Sequence, residues 1–401
     1  MTDDAPHSGI PHCDVDIYGP EAIADPAGAY RRMLALGPVV RPTANDITAI
    51  VGFDALTAAL RDHRTFRSGH GVSINDDVNR ILIGSTLNSD PPQHDTTRAI
   101  TFAPLTPKAL AEERERVERE AAFIADKVVK AGAFDAATDL APHLPLTIVR
   151  DLVGLGDEGR ENMLAWGAAT FELMGDPRDR KAQAQVDLKA MRAYLDSPQM
   201  MDALDPNGWA QRATGKGIEA GIAPQRAVEL MRDYIAPCLD TTISAIGYAV
   251  RLFAENPDQW RKLRDDRTLV KNAVEEVVRL NTPIRAFTRW VAEDAIIADA
   301  HLNKGDRVLM VFGAANRDPS RFADPDRFDI ERDVRGHVGF GHGVHACLGM
   351  HLARLEITCL LNALADRVAA FAPDGPTAPV VNATIHAFAR APVRVADLAA
   401  G

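Results

Sequence analysis

A glycine-rich stretch at residues 340–349 constrains this chain more than any other feature. It reads Phe-Gly-His-Gly-Val-His-Ala-Cys-Leu-Gly and runs directly into an amphipathic segment from Leu348 to about Asp366. Its glycines permit positive φ angles and close backbone packing that side chains resist. Cys347 therefore lies where a helix begins, and the positive end of a helix dipole favours a thiolate over a thiol. We interpret the stretch as a loop that presents a thiolate to a soft metal centre.

Three other interpretations of this loop stay open on the residues alone. A lone cysteine is most often a small buried apolar residue. The set His342, His345, Cys347 and His351 could bind zinc in a hydrolase or a zinc-stabilised binding protein. Their spacings of three, two and four residues, however, are not those of paired zinc ligands. The glycines could also cradle a phosphate, although no Gly-Lys-Ser or Gly-Lys-Thr follows them.

Composition and charge narrow the class of protein. The chain has 401 residues, of which 46% are hydrophobic, so it can bury a large core. Its net charge of −11 argues against nucleic acid as a partner. The first nine residues are polar and acidic and no run of 18 apolar residues follows, so we expect neither a signal peptide nor a membrane anchor. Scattered cysteines without a Cys-x-x-Cys pair indicate a reducing cytoplasm.

Hydrophobic periodicity predicts a mostly helical chain. The predicted segments, in order, are an amphipathic run at 26–36, a hairpin at 38–51, helices at 53–61 and 107–130, helical patterns through 140–173, a long apolar helix at 226–253, a helix at 268–282, and short strands at 304–311 and 392–395. Residues 65–88 are interpreted as a long loop, which inside a compact domain is usually functional. Residues 205–221 are interpreted as a polar connection. These patterns alone support only a large, mainly α protein.

Two pairs of charged residues share helix faces. His94 and Arg98 stand four apart after Asp-Pro-Pro, so the two donors can clamp one anion. A solvated surface pair is the alternative. Glu276 and Arg279 stand three apart, which by default predicts a surface salt bridge of little energetic value.

A proline and an acid interrupt the apolar pattern at 226–253. Pro237 removes one backbone hydrogen bond and therefore predicts a kink. One turn later, Asp240 is costly in an apolar pattern unless it is used or paired. Thr241 can donate its hydroxyl to the carbonyl of Pro237, four residues earlier. A helix-terminal Asp-Thr-Thr cap is the alternative.

The pattern Phe-x-x-Gly-x-His-x-Cys-x-Gly at 340–349 resembles the haem-binding loop of the cytochrome P-450 superfamily. Further stretches are similar to other motifs of that superfamily in the same order: Asp-Pro-Pro-x-His-x-x-x-Arg at 90–98, the distal helix at 236–242, Glu-x-x-Arg at 276–279, and the meander at 315–330. Pro237 and Cys238 depart from the distal motif, because they replace a small Ala-Gly pair beside the oxygen pocket. The resemblance covers residues 90–394, and five motifs in order are far more specific than one.

This resemblance implies a mainly α, single-domain cytochrome P-450 fold over residues 1–401, with small peripheral β-sheets and a flexible segment at 1–20. It implies haem b as cofactor and O2 as co-substrate, with Cys347 as the thiolate ligand of the iron. The other residues implied to bind the cofactor are His94, Arg98, Arg289 and His345 at the propionates, together with Phe340 and Gly349 of the loop.

The resemblance also assigns three further sets of residues. Asp240 and Thr241 would deliver protons during oxygen activation. Glu276 and Arg279 would form a buried lock with Arg327 beside the loop. By alignment with the family, the substrate pocket would draw on a mainly apolar set: Val72, Ile74, Phe171, Met174, Ile284, Ala286 and Phe388.

The function implied is that of a monooxygenase. It would insert one oxygen atom from O2 into a C–H bond of a small hydrophobic or aromatic compound, by hydroxylation or O-demethylation. No nicotinamide or flavin signature is found in the chain, so electrons would come from a separate ferredoxin with an NAD(P)H-dependent reductase. The alternatives are a haem-thiolate peroxygenase that uses hydrogen peroxide, a haem-binding sensor, and the zinc protein described above.

Overall fold

Helices make up most of the computed structural model, which describes residues 9–235 and 237–399. In the first half they are α1 Pro20–Ala24, α2 Pro26–Leu34, α3 Phe53–Arg61, α4 Asp76–Leu82, α5 Gln93–Phe102, α6 Pro107–Ala111, α7 Arg114–Ala131, α8 Arg150–Val153, α9 Asp157–Met174, α10 Lys181–Leu195, α11 Pro198–Ala203 and α12 Trp209–Glu219. In the second half they are α13 Pro224–Ala227, α14 Arg232–Ile235, α15 Asp240–Glu255, α16 Pro257–Asp265, α17 Val270–Asn281, α18 Phe312–Ala315 and α19 Met350–Ala365. Two π-helical turns, Ala136–Leu140 and Pro145–Val149, precede α8.

Short strands form sheets at the periphery. They are β1 His12–Cys13, β2 Val39–Pro42, β3 Thr48–Ile50, β4 Phe66–Arg67, β5 Ala133–Asp135, β6 Phe287–Val291, β7 Ala295–Ile297, β8 Ala300–Leu302, β9 Arg307–Met310, β10 Val368–Pro373, β11 Ala378–Pro379, β12 Phe388–Arg390 and β13 Pro392–Leu398. The largest sheet has the order β1-β2-β3-β9-β6-β4, and a second has the order β10-β13-β5. The predicted mainly α fold with small sheets is confirmed.

Several predicted elements are present where local periodicity is strong. The helix α3 has the predicted bounds, because Leu56 and Leu60 stand four apart and are both buried. The predicted hairpin is the antiparallel pair β2–β3, in which Val39 lies opposite Ile50. The predicted flexible segment at 1–20 lies outside the described residues as far as position 8. Beyond that point Ile10 is buried, and β1 pairs in parallel with β2.

Two segments interpreted as loops contain helices. Residues 65–88 include β4 and α4, and Asn75 caps α4 by accepting a hydrogen bond from the Asp77 N–H at 3.0 Å. The stretch predicted as a polar connection contains α12. Its glycines lower helix propensity, but one of them lies at a close helix contact. A side chain at Gly217 would meet Leu230 Cδ1 at 3.0 Å, so a small residue lets α12 approach the turn at Val228–Met231.

The apolar core places four long helices around the glycine-rich loop. In it, α19 packs against α7, α15 and α17, and α15 also packs against α17. The largest sheet covers another side, and within it β6 carries Arg289 opposite Val308 of β9. No helix in the described ranges is both long and apolar enough to cross a membrane.

A buried ion network fixes α17 to the segment before the loop. Glu276 and Arg279 have fully buried side chains and form two hydrogen bonds, of 2.6 and 2.9 Å. The prediction that Arg327 is the third member of this network is wrong. Its side chain is 64% exposed and pairs with Asp329. Arg332 takes that place, because the meander turns back and brings its Nε to 3.2 Å from Glu276 Oε1.

This correction predicts different effects for two arginines five residues apart. Arg332→Ala should lower the free energy of unfolding by about 3 kcal/mol, because it removes one partner of a buried carboxylate. Arg327→Ala should change it by no more than about 0.5 kcal/mol, because its ion pair is solvated. Urea unfolding of the two haem-loaded variants measures both values. Equal losses would contradict the placement of Arg332 in the network.

Candidate active site

The loop at 340–349 is closed by one short backbone hydrogen bond. The N–H of Cys347 donates to the carbonyl of Phe340 at 2.7 Å. Gly341 and Gly343 have φ angles of 70° and 71°, the left-handed region in which glycine is favoured. A side chain at Gly343 would also meet the carbonyl oxygen of Leu60 at 2.4 Å. The glycines thus allow the tight turn that the sequence predicted.

Cys347 is partly buried and lies three residues before the start of α19. Burial raises the pKa of this thiol, and the backbone N–H groups of Gly349 and Met350 act in the opposite direction, as does the guanidinium of Arg98. The backbone N–H groups at the helix start thus favour the thiolate, as the sequence predicts, while burial favours the thiol. A coordinated metal ion deprotonates a thiol outright. The backbone donors then stabilise the resulting sulfur anion.

Side chains from other elements brace the loop. Arg98 Nη2 on α5 donates to the carbonyl of Ala346 at 2.8 Å. Arg354 on α19 lies 4.8 Å from the ring centre of Phe340 and also binds Glu275 through bonds of 2.6 and 2.8 Å. His337 contacts the same carboxylate at 2.9 Å. The loop is therefore tied to α5, α17 and α19 at once.

A large cavity lies over the loop. The empty space within it is about 1780 Å³, a volume that includes space open to solvent. Its walls include Phe340, Cys347 and Gly349 of the loop and Thr241 of α15. Most of the other lining side chains are apolar. The cavity therefore brings the thiol of Cys347 and the hydroxyl of Thr241 to one mainly apolar space.

Several nitrogen donors gather at one side of this cavity. Arg289 is fully buried and donates to the carbonyl of Thr288 at 2.8 Å, and burial lowers its pKa to about 10. His345 lines the cavity, and burial lowers its pKa to about 2, so it is neutral. His94 lies behind it with ring centres 4.4 Å apart, and the Nε2 atoms of both rings have no partner among the described residues. Together with Arg98, these groups fit the two carboxylates of a haem.

The apolar helix predicted at 226–253 is interrupted rather than kinked. Helix α14 ends at Ile235 and α15 begins at Asp240, while Ala236 lies outside the described residues. Thr241 Oγ1 donates to the carbonyl of Pro237 at 3.0 Å, the predicted contact. Pro237 and Cys238 also line the cavity. The two residues that depart from the family pattern therefore shape the cavity wall beside Thr241.

Asp240 is a buried acid without a partner for one oxygen. Its Oδ2 makes no hydrogen bond within the described chain. Burial raises the pKa of this carboxyl to about 7. Asp240 is therefore protonated in part of the molecules near neutral pH, and it lies next to a hydroxyl that lines the cavity. Such a pair can hold and pass a proton.

The predicted substrate pocket is only partly present. Phe171, Met174 and Ile284 line the cavity, whereas the other four predicted residues do not: Val72, Ile74, Ala286 and Phe388. The first three of these four have their side chains in or against the apolar core. Phe388 stacks on Tyr248 with ring centres 4.0 Å apart. The structure therefore does not place these four residues on the cavity wall.

Sequence reasoning missed several lining residues. Phe287 lies two positions before Arg289 on β6, and both line the cavity. Because alternate residues of a strand share a face, the predicted position of Arg289 could have indicated Phe287. Leu82, Leu87 and Met191 also line the cavity. Their segments meet only in the folded chain, so no sequence signal marks them.

The histidines near the loop do not form a zinc site. His342 Nε2 accepts a hydrogen bond from Arg61 Nε at 2.9 Å, while His345 packs against His94. Within residues 9–235 and 237–399, no three His, Cys, Asp or Glu side chains are grouped so that they could hold a metal ion. Cys347 faces the cavity from the glycine-rich loop without a second metal ligand beside it among the described residues, which is the arrangement of a haem-thiolate protein.

Comparisons with known proteins agree with this class. The family profile of cytochrome P-450 matches residues 188–368. Cytochrome p450 CYP199A2 of Rhodopseudomonas palustris is 35% identical over 395 residues, covering 97% of this chain and 95% of that protein. The cytochrome P-450 monooxygenase PikC of Streptomyces venezuelae is 31% identical over 398 residues, covering 96% of this chain and 94% of that protein.

Solved structures show the same fold. P450BioI, crystallised with an acyl carrier protein that carries hexadec-9Z-enoic acid, superimposes with a TM-score of 0.83 at 25% identity, covering 94% of this chain and all of that one. CalO2 superimposes with a TM-score of 0.81 at 23% identity, covering 96% of this chain and 99% of that one.

The fold and the site define a haem-thiolate monooxygenase. The chain belongs to the cytochrome P-450 family. Its cofactor is haem and its co-substrate is O2. Cys347 is the residue whose sulfur would hold the iron, and Arg98, Arg289, His94 and His345 are the donors that would hold the propionates.

The donors predict how firmly the cofactor is retained. Arg289→Leu should speed the transfer of haem to excess apomyoglobin about tenfold, because a charge-assisted hydrogen bond to a propionate is lost. Arg289→Lys keeps the charge and should lie between this variant and the wild type. The control is Arg390→Leu, which removes an exposed arginine on β12 and should change nothing. Equal transfer rates for all four proteins would exclude Arg289 from the propionate site.

Proposed function

We propose that this cytochrome P-450 hydroxylates or O-demethylates a small hydrophobic or aromatic compound with electrons from a ferredoxin and its NAD(P)H-dependent reductase. The observation that carries this proposal is the apolar cavity wall, with Phe171, Met174, Ile284 and Phe287, on the space that Cys347 also lines. Aromatic and aliphatic walls favour a substrate body of the same kind. Excluding water from the site also strengthens every polar interaction inside it.

When bound, the haem supplies the oxygen activation and the C–H chemistry, which no protein side chain provides. The protein contributes substrate position, a dry cavity and controlled protons. Asp240 holds a proton because burial raises its pKa to about 7. Thr241 lines the cavity, and its hydroxyl donates to the carbonyl of Pro237 in the resting chain. We assign these two residues the delivery of protons from the buried helix start to the cavity.

Asp240 and Thr241 also bear on whether the oxidant is O2 or hydrogen peroxide. Hydrogen peroxide already carries the protons and electrons that O2 needs, so a peroxygenase has no use for a buried acid next to a hydroxyl. The pair Asp240 and Thr241 therefore favours O2 with a reductant.

The source of electrons is a separate question. The sequence pattern Gly-x-Gly-x-x-Ala at 215–220 falls largely inside α12, without a preceding strand, and so lacks the strand–turn–helix context of a nicotinamide-binding motif. The free cysteines agree with the proposed reducing cytoplasm.

A reconstituted assay tests the proposal. Small aromatic compounds should shift the haem iron from low to high spin, and with ferredoxin, reductase and NADH they should give products that carry oxygen from labelled O2. In Thr241→Ala, product per NADH should fall at least about tenfold while peroxide rises, because the proton path is cut.

Thr241→Ser keeps the hydroxyl and is the matched variant, which should stay coupled. The proton role would be refuted if Thr241→Ala and Thr241→Ser formed product equally well. Product formed with hydrogen peroxide but not with O2 and reductant would show a peroxygenase instead.

A further inference from the structure

A second acid, Asp233, lies in the wall of the cavity with one oxygen unused. It belongs to α14, about two turns before Asp240, and lines the space above the loop. Its Oδ2 has no hydrogen-bond partner in the part of the chain that the structure describes. Burial raises the pKa of this carboxyl to about 6, although the hydroxyl and backbone N–H of Thr86 act in the opposite direction. A buried polar atom without a partner is costly and calls for an explanation.

The nearby cations do not supply the missing partner. Arg232 Nη1 donates to the carbonyl of Ile81 at 2.8 Å and to Glu229 Oε2 at 3.3 Å. Arg98 Nη2 donates to the carbonyl of Ala346 at 2.8 Å. Both guanidinium groups lower the pKa of Asp233 through their charge, but neither forms a salt bridge with it. The carboxyl is therefore near positive charge without being paired.

Two other polar side chains of the cavity wall are already satisfied by the protein, whereas His345 Nε2 and Arg232 Nε are buried donors without a partner among the described residues. Asn88 Oδ1 accepts from the Val72 N–H at 3.1 Å. Thr170 Oγ1 donates to the carbonyl of Trp166 at 2.8 Å. Asp233 differs from them because it is a strong acceptor that lines an apolar cavity and has an oxygen to spare. Its use is therefore expected to come from a molecule that enters the cavity.

We propose that Asp233 anchors the substrate by accepting a hydrogen bond from a donor group, either a protonated amine or a hydroxyl, that is carried on a small apolar or aromatic body. This inference rests on the proposed function and narrows its substrate class. A carboxylate at the same place would face the like charge of Asp233 and is rejected. A purely apolar compound would leave the acceptor unpaired and binds less tightly.

Four compounds that differ in one substituent test this preference: para-isopropylbenzylamine, para-isopropylphenol, para-isopropyltoluene and para-isopropylbenzoate. Dissociation constants come from calorimetry and from the spin shift of the haem-loaded protein. The amine, the phenol or both should bind the wild type at least about tenfold more tightly than the toluene. The benzoate should bind most weakly. The compound that binds more tightly than the toluene, the amine or the phenol, identifies the donor group that Asp233 accepts. A spectrum showing the amine nitrogen on the iron would overturn the anchor for amines.

Two variants separate charge from hydrogen bonding. Asp233→Asn keeps the size and an acceptor, so it should lose the preference for the amine and retain part of that for the phenol. Asp233→Leu should lose both preferences and bind the toluene at least as well as the wild type does. The control, Asp202→Asn, changes an exposed acid of α11 and should leave all four constants unchanged. If both Asp233 variants rank the four compounds as the wild type does, the anchor is overturned. If the leucine variant does not fold, the ranking measured with Asp233→Asn decides the test.

Oxidation of para-isopropyltoluene separates this inference from the proposed function. Both Asp233 variants should still oxidise it with O2 and reductant, because the thiolate loop and the proton path are untouched. Oxidation of all four compounds by the wild type without any preference contradicts the anchor alone. A wild type that neither binds nor oxidises any of them contradicts the proposed function and the anchor together.

Discussion

The hydrogen bond from the Cys347 N–H to the Phe340 carbonyl, 2.7 Å long, fixes the position of the sulfur on which the rest of the site depends. It closes a loop that only glycine at 341 and 343 permits without strain. The loop is then held from outside by Arg98 on α5 and Arg354 on α19. The core helices and the buried network at Glu276 thus serve one purpose, which is to present the thiol of Cys347 to an apolar cavity.

Unpaired buried groups divide this cavity into two functional sides. Ring nitrogens without a partner among the described residues, the Nε2 atoms of His94 and His345, lie at the side that suits the propionates. Acids with a spare oxygen, Asp233 and Asp240, come from the distal helices. Each such group costs free energy in the empty protein. Because a ligand that binds only the folded chain stabilises it, haem and substrate can offset those costs. The unpaired groups that cost folding free energy therefore also determine which ligands bind in the cavity.

The sequence predicted features that local residues determine and missed those that depend on the path of the chain. The loop, the bounds of α3 and the bond from Thr241 to Pro237 follow from glycine, periodicity and spacing within a few residues. The sequence does not predict helix α12, because its glycines lower helix propensity and its packing partners, which include α5 and α8, are distant in sequence. Arg327 was chosen over Arg332 because only the turn of the meander decides which arginine reaches Glu276. Four of the seven predicted pocket residues do not line the cavity. The residues that pack on them, such as Tyr248 on Phe388, are distant in sequence.

The carbon monoxide difference spectrum of the reduced protein tests the central claim most directly, because the Soret band of that adduct reports the ligand opposite carbon monoxide. A thiolate from Cys347 predicts the strongly red-shifted band in the wild type and its complete loss in Cys347→Ala. A conservative Cys347→Ser variant should also lack the band while the fold is retained. A wild-type protein without the red-shifted band, or a Cys347→Ala variant that keeps it, would contradict the account.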